Sequence, residues 1–173
     1  MLKPLVKLFI ICLLGVGGYK AWLELAPAET QIRWVLENAA DGFNNMNKAD
    51  CLAAFAPEYR DSTEVDDYVG VVEVSRSLLG NGLTYMFMNK LEPGTKTFIY
   101  KAEAVSGTMN ITLDSEVAAK VQFRLDMFVK EGHKWTLVWG LDVKASLRKD
   151  ETKHWIITRS THRTVSGHPP FPR

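Results

Sequence analysis

The residue with the most chemistry to explain is an arginine on what reads as an apolar stripe. From Lys153 to Thr164 the residues alternate as in a strand with one buried face. Trp155 and Ile157 lie on that face, and the same alternation places Arg159 and Thr161 on it too. A guanidinium there must find an anion, because burying it unpaired is very costly. It could clamp a carboxylate or phosphate group of a ligand through its two-pronged fork. It could equally pair with Asp61, Asp66 or Asp67, or reach water at the rim of the fold. A second candidate is Tyr59 with Asp61. A carboxylate base beside a phenol donor suits proton abstraction next to a carbonyl. The polar, acidic composition of Tyr59 to Asp67 also fits a packing tyrosine and a solvated loop acid.

The other reactive residue types have less to offer. Asp126 and Asp142 fall on the polar side of their strands with Arg124 and Lys144 as cross-strand partners, not in the desolvated cleft that shifts carboxylate pKa values. His133 is in a turn, His154 opens a strand, His162 alternates onto the outward side and His168 is in the tail. No two share a metal-ligand spacing, so no metal is expected. Ser75, Ser77, Ser106 and Ser160 have neither a nucleophile elbow nor a neighbouring base. No glycine motif cradles a phosphate, and no cofactor is expected. Cys51, among Leu52, Ala53 and Phe55, reads as a small buried hydrophobe, and with Cys12 it makes no disulfide framework. Trp34, Trp139 and Met127 read as core or cavity wall.

What must position these residues is helical first and stranded last. Ile32, Val35, Leu36, Ala39 and Phe43 recur at helical spacing from Ala28 onward, and Gly42 with Asn44-Asn45 ends that helix. Asn47 caps a short second helix expected to run through Phe55 and to stop at Pro57, with a loop after it. A third helix is predicted over Val71 to Met88, kinked or split by Gly80-Asn81-Gly82. Strands follow at Thr97 to Thr112, with a break at Val105 to Thr108, then at Val117 to Lys130, Lys134 to Arg148 and Lys153 to Thr164. On the inward side the alternation puts Val121, Phe123, Leu125, Met127 and Val129. It also puts Trp135, Leu137, Trp139, Leu141, Val143 and Leu147 there. Three helices and then about four antiparallel strands make the α+β class.

Composition narrows the partners. The 173 residues carry a net charge of +1, with 46% hydrophobic and 24% charged residues. That balance and the absence of a basic run argue against nucleic-acid binding. At the start, Lys3 and Lys7 precede the apolar run Leu8 to Gly18, and Ala26-Pro27-Ala28 supplies small residues. This predicts export, with residues 1–27 as a signal peptide or a membrane anchor. The expected location is the periplasm, or the membrane through that segment alone. Residues 28–165 form the domain, and 166–173 a flexible tail rich in proline.

Several stretches together resemble the NTF2-like superfamily. They are helix one ending at Gly42-Phe43-Asn44-Asn45-Met46, the segment Phe55-Ala56-Pro57-Glu58-Tyr59, the third helix, and a last strand opening Lys153-His154-Trp155-Ile156-Ile157. The pattern is similar to SnoaL-like polyketide cyclases and ketosteroid isomerases, across about Ala28 to Thr164. The resemblance implies a curved antiparallel sheet wrapped around the first helix with two further helices. It also implies an apolar cone open at one end and homodimers through the sheet's outer face. Tyr59 and Asp61 would border the pocket, together with Trp34, Met127, Trp139, Arg159 and Thr161. The leading expectation is an exported domain that binds a small apolar or carboxylate-bearing ligand without catalysis. The alternatives are an envelope assembly module with a filled cone, or an isomerase, cyclase or dehydratase.

Overall fold

The computed structural model describes residues 25–63 and 74–170. The expected export segment up to residue 24, the acidic stretch Glu64 to Asp67, the predicted helix start at Val71 and the last three residues of the tail lie outside the described residues.

Helix α1 spans Ala28–Asn44 and buries Ile32, Val35, Leu36 and Phe43, the stripe its spacing predicts. Pro27 opens it by offering its carbonyl to Thr30 and Gln31. Helix α2, Lys48–Ala53, is capped by the Asn47 side chain, which accepts from the backbone N–H groups of Ala49 and Asp50. It ends two residues earlier than expected, and strand β1 takes over at Phe55–Thr63 where a loop was predicted. Pro57 therefore sits in a strand. It is tolerated because the β1–β6 ladder is irregular between Phe55 and Arg60, where its missing N–H costs no bond.

Strand β2, Val74–Ser75, hands over to helix α3, Arg76–Asn89, which begins later than its sequence pattern suggests, with the Ser75 hydroxyl as cap for the Leu78 N–H. The helix runs through Gly80-Asn81-Gly82 without a break. Gly80 faces Leu52 and Lys48 of α2, where an added Cβ would lie 3.2 Å from Leu52 Cδ1, so close helix packing uses its bareness. Gly82 faces open space. Gly82→Ala should therefore stabilise the domain by about 1 kcal/mol, the intrinsic helix difference, read as a raised urea midpoint at unchanged m-value.

Strands β3 (Tyr100–Leu113), β4 (Ala118–Glu131), β5 (Lys134–Lys149) and β6 (Trp155–Gly167) complete the sheet, β6 reaching three residues past its alternating run. The order is β2-β1-β6-β5-β4-β3. All neighbours are antiparallel except β1 and β6, which run parallel, so the expected four-stranded meander is a six-stranded mixed sheet. The predicted break in β3 is a bulge between Val105 and Asn110. Helix α1 grips it: Arg33 donates to the carbonyls of Ser106 and Met109, and the Ser106 hydroxyl donates to Glu37 at 2.7 Å.

The inner face packs on α1 through Ile32, Leu36, Val121, Phe123, Leu141, Leu147, Trp155 and Ile157. A second cluster gathers Phe43, Leu83, Phe98, Tyr100 and Met127 under α3. Cys51 lies in this second cluster, and burial, with the Asp50 carboxylate beside it, pushes its thiol up to about 12. It is an un-ionised, buried hydrophobe at neutral pH. No helix among the described residues is long and apolar enough to cross a membrane.

Candidate functional site

Three register shifts decide which side chains share the inner face. In β5 one extra residue, Val138, separates the Met127–Trp139 pair from the Phe128–Leu137 pair. In β6 Thr158 is extra between the Leu147–Ile157 and Ser146–Arg159 pairs, and Val165 between the Leu141–Thr164 and Gly140–Ser166 pairs. Each bulge shifts the alternation by one residue. The shift at Thr158 overturns the expected placement of Arg159 and Thr161. Both project from the outer face, opposite Ser146 and Lys144, and Arg159 is exposed. In their place Ser160 and His162 point inward, opposite Ala145 and Val143. His162, expected outside, is therefore inside for the same reason. The shift at Val138 likewise turns Trp135 and Leu137 outward, where they are 45% and 41% exposed.

Strand β1 brings its own residues to this spot. Asp61 pairs in register with Ser160, and Tyr59, two residues before it, is on the same side. A continuous hydrogen-bonded chain results. The Ser160 hydroxyl donates to Asp61 Oδ1 through a short bond, so its oxygen accepts from the Tyr59 hydroxyl at 2.7 Å. His162 Nδ1 lies 3.0 Å from Asp61 Oδ2 and donates to it. The His162 ring stands edge-on to Trp139, whose indole N–H donates to Thr164 at 3.0 Å. Tyr59 and Ser160 are buried, whereas the Asp61 and His162 side chains keep 14% and 18% of their surface exposed.

The chemistry of this arrangement is that of a proton-holding cluster. Burial, and then the neighbouring Asp61 carboxylate, push the Tyr59 phenol upward, against the Ser160 hydrogen bond, so Tyr59 keeps its proton through the physiological range. Asp61 fixes His162 with a proton on Nδ1, which leaves Nε2 as the nitrogen on the far side of the ring. The order is not that of a nucleophilic triad. The Ser160 proton goes to the carboxylate and not to the imidazole, so the serine is not activated for attack.

Of the residues singled out from sequence, Tyr59 and Asp61 are brought together. Trp139 joins them through His162. Met127 is packed in the second cluster, Trp34 is 37% exposed on α1, and Arg159 and Thr161 lie on the opposite face. Ser160 and His162 were missed because their parity was counted without the bulge. The signal was present: Trp155-Ile156-Ile157 are three apolar residues in succession, all buried, which strict alternation does not produce. Asp126 and Asp142 are on the outer face as expected, Asp126 2.6 Å from Arg124 and Asp142 3.3 Å from Arg163.

No protein-family model matches the chain, and no curated protein matches it in sequence. Solved structures do match in shape. An NTF2-like protein with a cystatin-like fold from Novosphingobium aromaticivorans is 12% identical, with a TM-score of 0.62 over 87% of this chain and 90% of that one. A Nostoc punctiforme protein of unknown function with a cystatin-like fold is 13% identical, with a TM-score of 0.59 over 83% and 93%. A ketosteroid isomerase-like protein from Erwinia carotovora atroseptica is 16% identical, with a TM-score of 0.53 over 78% and 94%. At such identities the likeness establishes architecture and leaves chemistry to the site itself. With its element order, its curved open sheet and its helices on one face, the chain has the NTF2-like α+β fold.

Proposed function

We propose that this is an exported domain that binds a small molecule at the inner-face cluster of Tyr59, Asp61, Ser160 and His162. One observation carries the reading: a carboxylate and an imidazole, hydrogen-bonded to each other and still in contact with solvent, stand on a sheet face whose packed core is apolar. A partly buried carboxylate–imidazole pair gives a fold no more stability than well-packed apolar residues of the same volume. Its use is recognition. The ligand chemistry that fits is an apolar body with a hydroxyl or carbonyl group, lying against Trp139 and hydrogen-bonding the Asp61–His162 pair. A carboxylate-bearing ligand does not suit this face, since Asp61 would repel it and Arg159 is on the other side.

The test is mass spectrometry of small molecules released from the purified full chain and from His162→Ala. A hydroxylated or carbonyl compound present with the parent and reduced at least about ten-fold in the variant supports the reading, since a hydrogen bond to a charged group is worth about 1.5–3 kcal/mol. No compound from either, with the variant folded by circular dichroism, sinks it.

A second reading, proton transfer on such a ligand, is favoured by the Nδ1–Asp61 bond, the arrangement that orients an imidazole base. Recovery of a chemically altered ligand from the parent but not from His162→Ala would separate turnover from binding. Export rests on Lys3, Lys7 and the apolar run after them. Pairing of two copies through the outer face is supported by Phe128 opposite Leu137, and by the exposed Trp135 opposite Lys130. Sedimentation of a chain beginning at Ala28 should give twice the monomer mass.

A further inference from the structure

The outer face of the sheet carries a pocket of about 290 Å³ whose lining is cationic and free of carboxylates. It is built by two adjacent rows of the ladder. In one, Lys120 of β4, Ser146 of β5 and Arg159 of β6 stand side by side; in the next, Gln122, Lys144 and Thr161 do. Neighbouring strands lie about 4.8 Å apart, so Lys120 and Arg159 flank the Ser146 hydroxyl from two sides, while Lys144 closes the third. Three cationic side chains thus border uncharged hydrogen-bonding groups, and of the three Lys144 has an interaction of its own. Among the described residues no carboxylate pairs with Arg159. Lys120 touches Asp114 at 3.1 Å, but both side chains reach solvent, and a surface pair of this kind contributes little.

We infer that this pocket binds a small dianion, a molecule carrying one phosphate or two carboxylates, with Arg159 as its two-pronged contact and Lys120 as a point charge. The volume is too large for a lone monovalent ion and suits a compact organic anion. The bulge at Thr158 makes the site, because it is what turns Arg159 away from the core and into line with Lys120 and Ser146. Its anion-holding side chains, Arg159 and Lys120, project from the face opposite the inner-face cluster, although Ser160 also borders the pocket, and it is several ladder rows from the apolar pairs at Phe128 and Trp135.

The experiment is an NMR titration of the full chain with inorganic phosphate, with succinate and with acetate, each at one ionic strength held by sodium chloride. Phosphate or succinate should give saturable shifts at the amides of Ser146, Arg159 and Thr161, and acetate at least ten-fold weaker ones. Arg159→Ala, at an exposed position, should keep the fold and weaken dianion binding at least ten-fold. Lys120→Gln should weaken it less, and Arg159→Lys should restore part of it. Shifts that follow chloride alone, or binding unchanged in both Arg159→Ala and Lys120→Gln, would overturn the inference.

Discussion

Trp155→Ala should destabilise the domain by about 3–5 kcal/mol, the range for removing a large aromatic from a core, and Trp155→Phe by far less. Trp155 opens β6, is 2% exposed, and packs in the cluster that holds α1 to the sheet. Truncation to alanine leaves a cavity that rigid neighbouring strands cannot collapse. The phenylalanine variant loses only part of the ring. It also removes a liability, because the indole N–H of Trp155 is buried and makes no hydrogen bond among the described residues. An unpaired buried donor costs about 1–3 kcal/mol, which offsets most of the lost area. Chemical denaturation of the three proteins checks this. A phenylalanine variant as damaged as the alanine one would mean that the indole N–H has a partner. Lys149, whose ammonium sits 5.3 Å above the ring, should lose little by itself when replaced, being a cation over an aromatic face at the edge of the fold.

Asp61→Ala should cost about 2–4 kcal/mol, below the range for breaking a fully buried pair because the carboxylate keeps some solvent contact. The loss is larger than the aspartate's own contacts suggest. Ser160 and His162 both lose the acceptor that Asp61 supplies, so one substitution weakens two hydrogen bonds at once. The double variant Asp61→Val with His162→Leu should therefore be more stable than Asp61→Ala alone, since it replaces both polar members of the pair with apolar side chains. A double-mutant cycle in urea measures the difference. Strictly additive losses would show that the two residues do not share a network, and the inner-face reading would fall with them.

Much of this was legible in the sequence because it depends on short spacings. The stripe of α1 from Ile32 to Phe43 needs only the helical period. The Asn47 cap was correctly read, and so was the inward set Val121, Phe123 and Met127, each of which depends on residues a few positions apart. The third helix was placed early. Its true start is set by the Ser75 cap, and its two glycines sit where one packs against α2 and the other faces water.

What the chain alone determined, then, is the succession of helices and strands and the face each strand buries up to its first irregularity. Tertiary structure decided the rest. The parallel seating of β1 beside β6 joins Asp61 to Ser160 across 99 residues, a distance no local pattern spans. The bulges at Val138, Thr158 and Val165 arise where curved strands must stay paired with neighbours of different effective length. Because side chains alternate with a period of two, one extra residue is enough to exchange Arg159 for His162 on the inner face. The identity of the candidate site thus turned on a count of one residue, which β5 fixed and β6 could not express by itself.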